Sequence, residues 1–303
     1  MNRRLLVNVV ERLPQGVMSR AWGFVARQKH PALGVALLKR GFVAATGIDM
    51  SEAAEPIGHY NTLEELFVRH LRAGARRIDP DPVAVVSPVD GRVAACGLVE
   101  GGTLLQVKGR TYSLGRLLSD DQEAARFEGG SYLTLYLSPK DYHRIHAPVA
   151  GEISRATVVP GALLPVFDEA VQAIDELFAR NERLITYLDS ADVGRMAVVK
   201  VGATLVGRIS VTYDKTLHTN VAGQARQDLN YAPALPMAKG AELGAFELGS
   251  TVVLVFEPQR VKLETLALGD AVRMGQRLGT IVARATKAPK APPRGKGSTR
   301  AKG

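Results

Sequence analysis

Ser87-Pro88-Val89-Asp90-Gly91-Arg92-Val93 is matched sixty residues later by Ala147-Pro148-Val149-Ala150-Gly151-Glu152-Ile153. In each, a Pro-Val pair enters a turn, a glycine closes it, and a branched apolar residue leads into a strand. Two such β-turn-β units suit a compact, β-dominated core. The surrounding sequence agrees. Leu133, Leu135 and Leu137 alternate with Tyr132, Thr134 and Tyr136, which predicts a strand with one buried face. Residues 198–211 read as two short strands broken at Gly202 or Gly207. The nearly all-apolar run Thr251-Val252-Val253-Leu254-Val255-Phe256 suits a central, buried strand.

Upstream the period changes to that of helices. Thr62-Leu63-Glu64-Glu65 forms a capping box, and Leu63, Leu66, Phe67 and Leu71 supply an apolar face behind it. Nearer the N-terminus, Met18, Ala21, Trp22 and Val25 recur at helical spacing, with Arg20 and Arg27 off that stripe. A basic helix of this kind either lies in a membrane interface or packs on the protein's own core. The expected architecture is α+β: an amphipathic helical region over 1–60, a β-dominated domain over 61–285, and a basic tail over 286–303. That tail alternates Pro, Lys, Arg, Gly and Ala and is expected to be disordered.

Charge is placed unevenly. The net charge is +9, yet residues 1–40 hold eight Lys/Arg against one acid, and 284–303 hold seven against none. The body between carries 24 basic and 29 acidic residues. A slightly acidic body with two basic ends points to an anionic partner touched by the ends. The single cysteine, Cys96, lies in an apolar run and cannot form an internal disulfide. No uncharged apolar run reaches the roughly 18 residues of a membrane span, and the N-terminus does not read as a secretory signal.

Three segments hold chemistry. Leu248-Gly249-Ser250-Thr251 sets a hydroxyl directly after a glycine at the mouth of a buried strand. A serine so placed either caps a strand or attacks the preceding carbonyl, and attack requires a base and an orienting partner. Tyr142-His143-Arg144-Ile145-His146-Ala147-Pro148 offers two histidines, and Val89-Asp90-Gly91 a carboxylate. Asp, His and Ser on separate β-turns would make a nucleophile–base–orienter set. No metal site is expected, since no further Cys/His cluster stands at ligand spacing.

The blocks Ser87-Pro88-Val89-Asp90-Gly91, Tyr142 to Pro148 and Leu248-Gly249-Ser250-Thr251, in that order, resemble the signature blocks of the phosphatidylserine decarboxylases. Phe67-Val68-Arg69-His70-Leu71-Arg72 and Phe178-Ala179-Arg180-Asn181-Glu182-Arg183 are also similar to that family. The resemblance spans about residues 60 to 283. It implies self-cleavage between Gly249 and Ser250 by a triad of Asp90, His146 and Ser250. The products would be chains 1–249 and 250–303, held together as a heterodimer. Ser250 would become a pyruvoyl group, the sole cofactor, forming a Schiff base with phosphatidylserine. His143 is the candidate proton donor, with Asp141 beside it, and phosphatidylethanolamine and carbon dioxide would be the products. The expected setting is peripheral, on the cytoplasmic face of an anionic membrane. A pyruvoyl decarboxylase of a soluble amino acid and a noncatalytic membrane-binding scaffold are the alternatives. A nucleic-acid partner is not expected, because the folded body is acidic.

Overall fold

The computed structural model describes residues 15–107, 110–204, 208–247 and 250–282. The junction residues Leu248 and Gly249 and the basic tail lie outside the described residues. The described chain is β-dominated with helices at its N-terminal end, the α+β arrangement expected from the sequence.

The largest sheet has eight strands. In chain order the strands are β1 (Ala84–Val86), β2 (Gly91–Leu98), β3 (Thr103–Val107), β4 (Arg110–Ser113), β5 (Ser131–Leu137), β6 (Arg144–His146), β7 (Gly151–Val159) and β8 (Arg183–Ser190). They continue with β9 (Gly194–Val201), β10 (Ile209–Val211), β11 (Gln227–Met237), β12 (Glu242–Phe246), β13 (Ser250–Phe256), β14 (Val261–Leu263), β15 (Ala271–Val272) and β16 (Arg277–Ile281). The large sheet runs β11-β7-β8-β9-β13-β5-β2-β15, and two three-stranded sheets, β1-β16-β14 and β10-β12-β6, lie apart from it.

This order reads as a palindrome about the β9–β13 pair, and the two Pro-Val turns are its hinge. Val86 N–H donates to Pro148 O (3.0 Å) while His146 N–H donates to Pro88 O (2.8 Å). Ser87 exchanges bonds with Gly275 and Gln276 as Ala147 does with Gly240 and Ala241. β2 and β7 each carry an irregularity at the same place, between Val93 and Ala95 and between Ile153 and Arg155. Glycine closes both turns for one reason. A Cβ on Gly91 would stand 2.5 Å from Tyr136 O, and one on Gly151 would stand 2.5 Å from Asp189 O. The short sequence repeat is thus the visible part of a two-fold relation between halves of the sheet.

The sheet is covered on both faces. Leu135, Val198, Val252 and Leu254 pack with Ile145, Phe246 and Leu278 of the small sheets. Tyr132, Val199, Val253 and Val255 pack the other way, against Leu117, Phe127 and Phe178. Residues 131–137 are therefore buried on both faces, where alternation had predicted one. Tyr and Thr read as the solvent side of a strand, but here a second layer covers them. The break between β9 and β10 begins at Gly202, as expected. β13 is central, and each fully buried Val or Leu along it contributes about 1.5–3 kcal/mol.

Helices α1 (Gln15–Ala26) and α2 (Ala32–Thr46) pack on α3 (Leu63–Phe67) through Ala26, Leu63, Leu66 and Phe67. The Thr62 half of the capping box forms, with Glu65 N–H donating to Thr62 Oγ1 (3.0 Å), while Glu65 Oε2 reaches one residue past the N-cap and accepts from Asn61 N–H (2.7 Å). Leu71 lies beyond the helix end, in a bridge to Ala53. The α1 stripe is rotated from the expected one. Ser19, Gly23 and Ala26 are buried with Trp22 half-buried, whereas Ala21 and Val25 face solvent. Small residues let α1 approach the body closely, which turns the larger apolar ones outward. Further on, α4 (Leu114–Leu118), α5 (Asp121–Ala125), α6 (Asp168–Ala173) and α7 (Leu177–Arg180) are short.

Candidate active site

β5 ends at Leu137, whose partner across the ladder is Ser250, the first residue of β13. A tight turn follows β5. Asp141 Oδ2 accepts from both the amide and the hydroxyl of Ser138, at 2.7 Å each. The Asp141 carboxylate therefore caps the turn and does not face His143. It is the Asp141 carbonyl that meets His143, with Nδ1 at 2.8 Å.

His143 is fully buried, with its ring 4.0 Å from that of Phe67 between centroids. Only a protonated nitrogen can pair with a carbonyl oxygen, so Nδ1 carries the proton. Nε2 is buried and has no partner among the described residues. Burial drives the pKa of His143 down to about 3; the Asp141 carbonyl opposes this and Arg69 adds to it. The ring is thus neutral, with an open lone pair at Nε2.

His146 is held by the same logic. Nδ1 lies 2.8 Å from Gly240 O and is the donor, which leaves Nε2 to accept from the Tyr142 hydroxyl at 3.2 Å. Burial lowers its pKa below the usual imidazole value, against smaller raising effects from Gly240 and Glu242. A neutral imidazole with its proton fixed on Nδ1 offers Nε2 as a base.

Asp90 sits on the first Pro-Val turn, and its carboxylate does not hydrogen-bond His146. Arg76 Nε reaches Oδ1 at 2.8 Å and Oδ2 at 3.0 Å, Arg76 Nη2 also donates to Oδ2, and Met274 N–H donates to Oδ1 at 2.8 Å. Arg76 in turn holds Glu52 through Nη1 at 3.0 Å and Nη2 at 2.7 Å. Asp90 still acts on His146 through space, favouring its charged form. The orienting hydrogen bond expected from Asp90 is made by the Gly240 carbonyl.

Two backbone hydrogen bonds draw the three blocks together. His146 N–H to Pro88 O (2.8 Å) joins the histidine block to the Asp90 turn. Phe246 N–H to His143 O (2.9 Å) joins it to the segment leading into residues 248–250. A cleft of about 800 Å³ opens beside them, lined by Arg69, Arg76, Asp90, Ser138, Asp141 and Tyr142.

The two supporting segments are structural parts of this site. Phe67 covers His143, and Arg69 Nη2 holds the Lys140 carbonyl at 3.0 Å. Asn181 is fully buried and bonds Leu164 N–H (3.0 Å), Leu164 O (2.9 Å) and Gly202 O (2.8 Å). Gly202 follows Val201, the ladder partner of Thr251, so Asn181 braces the strand end beside position 250.

The two-fold relation supplies a built-in comparison. A cleft of about 870 Å³ in the other half is lined by Ala150, Gly151, Glu152, Asp189, Gly194 and Arg195. By the register of the ladders, Ala150 stands where Asp90 does, Val86 where His146 does, and Gly194 where Ser250 does. Only one half of the sheet carries the candidate chemistry.

Tyr142, Arg76 and Gly240 were given no role by the sequence. Tyr142 lies inside the histidine block and four residues before His146, a spacing that carries a weak signal. Arg76 and Gly240 carry none.

Residues 63–280 match the family model described as phosphatidylserine decarboxylase. Such proteins are lyases, and this chain belongs to the phosphatidylserine decarboxylase family. A phosphatidylserine decarboxylase proenzyme of Anaeromyxobacter sp. (strain K) is 46% identical over 281 residues, covering 92% of this chain and 99% of that protein. The corresponding proenzyme of Myxococcus xanthus is 44% identical, covering 93% and 100%. That of Brevibacillus brevis is 41% identical, covering 92% and 99%.

Proposed function

We propose that this chain is a self-processing, pyruvoyl-dependent enzyme that converts phosphatidylserine to phosphatidylethanolamine and carbon dioxide at a membrane surface. The observation that carries this is the pair of backbone bonds, Phe246 to His143 and His146 to Pro88, that ties the histidine block both to the Asp90 turn and to the segment leading into Ser250.

In the self-cleavage, the Ser250 hydroxyl attacks the Gly249 carbonyl while His146 Nε2 takes the hydroxyl proton. The peptide C–N bond gives way to an ester, freeing the amino group of residue 250. Loss of the α-hydrogen then expels Gly249 as the carboxylate end of chain 1–249 and leaves dehydroalanine at the head of chain 250–303. Hydrolysis releases ammonia and leaves the pyruvoyl group. Asp90 favours the imidazolium that forms on His146, acting through space. The chains stay together because β13 lies between β5 and β9, hydrogen-bonded on both sides.

The Nε2 of His143, without a partner among the described residues, is a polar atom of the kind that a pyruvoyl group and its substrate would satisfy. That group supplies a carbonyl that condenses with the substrate amine and draws off the electrons released with carbon dioxide. His143 enters as a proton carrier and not as a charged acid. Its Nε2 takes a proton from solvent and passes it to the carbon that carbon dioxide leaves.

Outward-facing apolar residues of α1 and α2 support the membrane setting. Phe24 is 65% exposed and Leu33 73%, with Val17 and Leu37 also open to solvent. Arg20, Arg27, Lys29 and Arg40 lie among them, and this combination favours an interfacial position on an anionic surface. No described helix is long and apolar enough to cross a membrane. The peripheral position is assigned to the cytoplasmic face. The test is carbon dioxide release from purified protein given either phosphatidylserine vesicles or free serine. Release from vesicles alone is expected; release from serine alone would replace the lipid by a soluble substrate.

A further inference from the structure

Glu247 stands just ahead of the Gly249–Ser250 junction, and its side chain is buried. Arg208 Nε donates to Oε1 at 2.6 Å, and the Glu247 amide donates to Arg208 O at 2.8 Å. Oε2 is buried and receives no donor from the described residues. The carboxyl of Glu64 on α3 lies beside the Glu247 carboxyl, whose Oε1 is already taken by Arg208. Glu64 is itself held by Arg27 Nη1 of α1, at 3.3 Å.

Two ionised carboxyls cannot hydrogen-bond; one must hold a proton. Glu64 has Arg27 to balance its charge. Burial raises the Glu247 pKa well above the usual carboxylate range; Arg208 opposes the rise and Glu64 adds to it. The proton therefore belongs on Glu247.

We propose that Glu247 is a positioning residue for self-processing, working as the neutral acid that donates from Oε2 to Glu64 and accepts from Arg208 at Oε1. This anchors the chain two residues before the bond to be cut and ties it, through Glu64 and Arg27, to the N-terminal helix. The inference rests on Gly249–Ser250 being the scissile junction. The charged groups facing Glu247 are Arg208 and Glu64, with Arg27 behind the latter. When Glu247 ionises on the alkaline side, two carboxylates repel, Oε2 loses its bond to Glu64, and the anchor slackens. Burial shifts the titration of His146 toward acid, away from the alkaline limb.

The test uses the full-length chain made by cell-free synthesis, with appearance of the large chain followed between about pH 6 and 9. Glu247→Gln reproduces the neutral acid, since its amide donates to Glu64 and its oxygen accepts from Arg208. It is expected to process at the wild-type rate near neutrality and to lack the alkaline slowing of the wild type. Glu247→Ala is expected to process at least about tenfold more slowly throughout. A Glu247→Gln chain as slow as Glu247→Ala, or one sharing the wild-type alkaline profile, would overturn the inference while leaving the scissile junction intact. A wild type that never processes would remove both.

Discussion

His146 Nδ1 donates its proton to the carbonyl oxygen of Gly240, 2.8 Å away, and that one bond sets what the imidazole can do. It fixes the tautomer and turns Nε2 toward the Tyr142 hydroxyl. The orienting role that an aspartate often fills is taken by a backbone carbonyl. Asp90 is left to act by its charge, within a pair with Arg76 whose side chains are 9% and 7% exposed.

Tyr142 covers the lone pair that the proposed self-cleavage would use. Tyr142→Phe removes one hydrogen bond of about 1 kcal/mol and uncovers Nε2. It is expected to fold and to process at least as fast as the wild type, whereas His146→Ala should not process at all. Time courses of large-chain formation compare them. Slower processing in Tyr142→Phe would make the hydroxyl a participant and not a cover.

His143 makes a pH prediction. Its folded pKa is depressed to about 3 by burial, below the ordinary value of about 6.5 in the unfolded chain. Between those two values the unfolded state binds a proton that the folded state refuses. Stability is therefore full above the upper value and is lost as pH falls through the window, by at most about 1.4 kcal/mol per pH unit for this group. Urea unfolding of Ser250→Ala, with and without His143→Leu, at pH values inside that window measures it. The double variant should show the shallower decline toward acid.

Asn181 closes three buried hydrogen bonds with one side chain. Asn181→Ala strands Leu164 N–H and leaves two carbonyls without its amide, at a cost of about 3 kcal/mol. Because Gly202 is one of those partners, processing should slow as well. Asn181→Asp should not restore it, since a carboxylate cannot donate to the Leu164 and Gly202 carbonyls. Chemical denaturation and chain separation by mass report the two effects separately.

Phe24 and Leu33 are expected to carry membrane contact. Phe24→Glu with Leu33→Glu should weaken sedimentation with anionic vesicles several-fold, since charges at an interface oppose insertion of an apolar face. Self-processing should be unchanged. Vesicle binding equal to the wild type would move the membrane contact elsewhere.

Much of the fold was legible where local pattern and burial agree. β13 announces itself because it is apolar on both faces, as a central strand must be. The capping box of α3 is written in four consecutive residues. The repeat showed only seven positions, because beyond the turns the two-fold relation is kept by backbone bonds that leave no side-chain signature. β5 misled because Tyr132 and Thr134 look like a wet face. α1 misled because Ser19, Gly23 and Ala26 are too small to read as a packing face.

For the site, the family resemblance of the three blocks pointed to Asp90, His143, His146 and Ser250, but contacts were not legible. Gly240 acts through its carbonyl, which any residue would supply. Arg76 finds Asp90 only because the chain folds the 72–79 segment over the first Pro-Val turn. Asn181 lay in plain view inside a family-like segment, yet its three partners are all backbone groups.

The most direct measurement is the intact mass of the purified wild-type chain beside that of Ser250→Ala. Two masses are expected for the wild type, corresponding to residues 1–249 and to residues 250–303 beginning with a pyruvoyl group, and one full-length mass for the variant. A wild type that stays a single chain with anionic lipid present, or a Ser250→Ala chain that still divides at the same place, would contradict self-processing at Ser250.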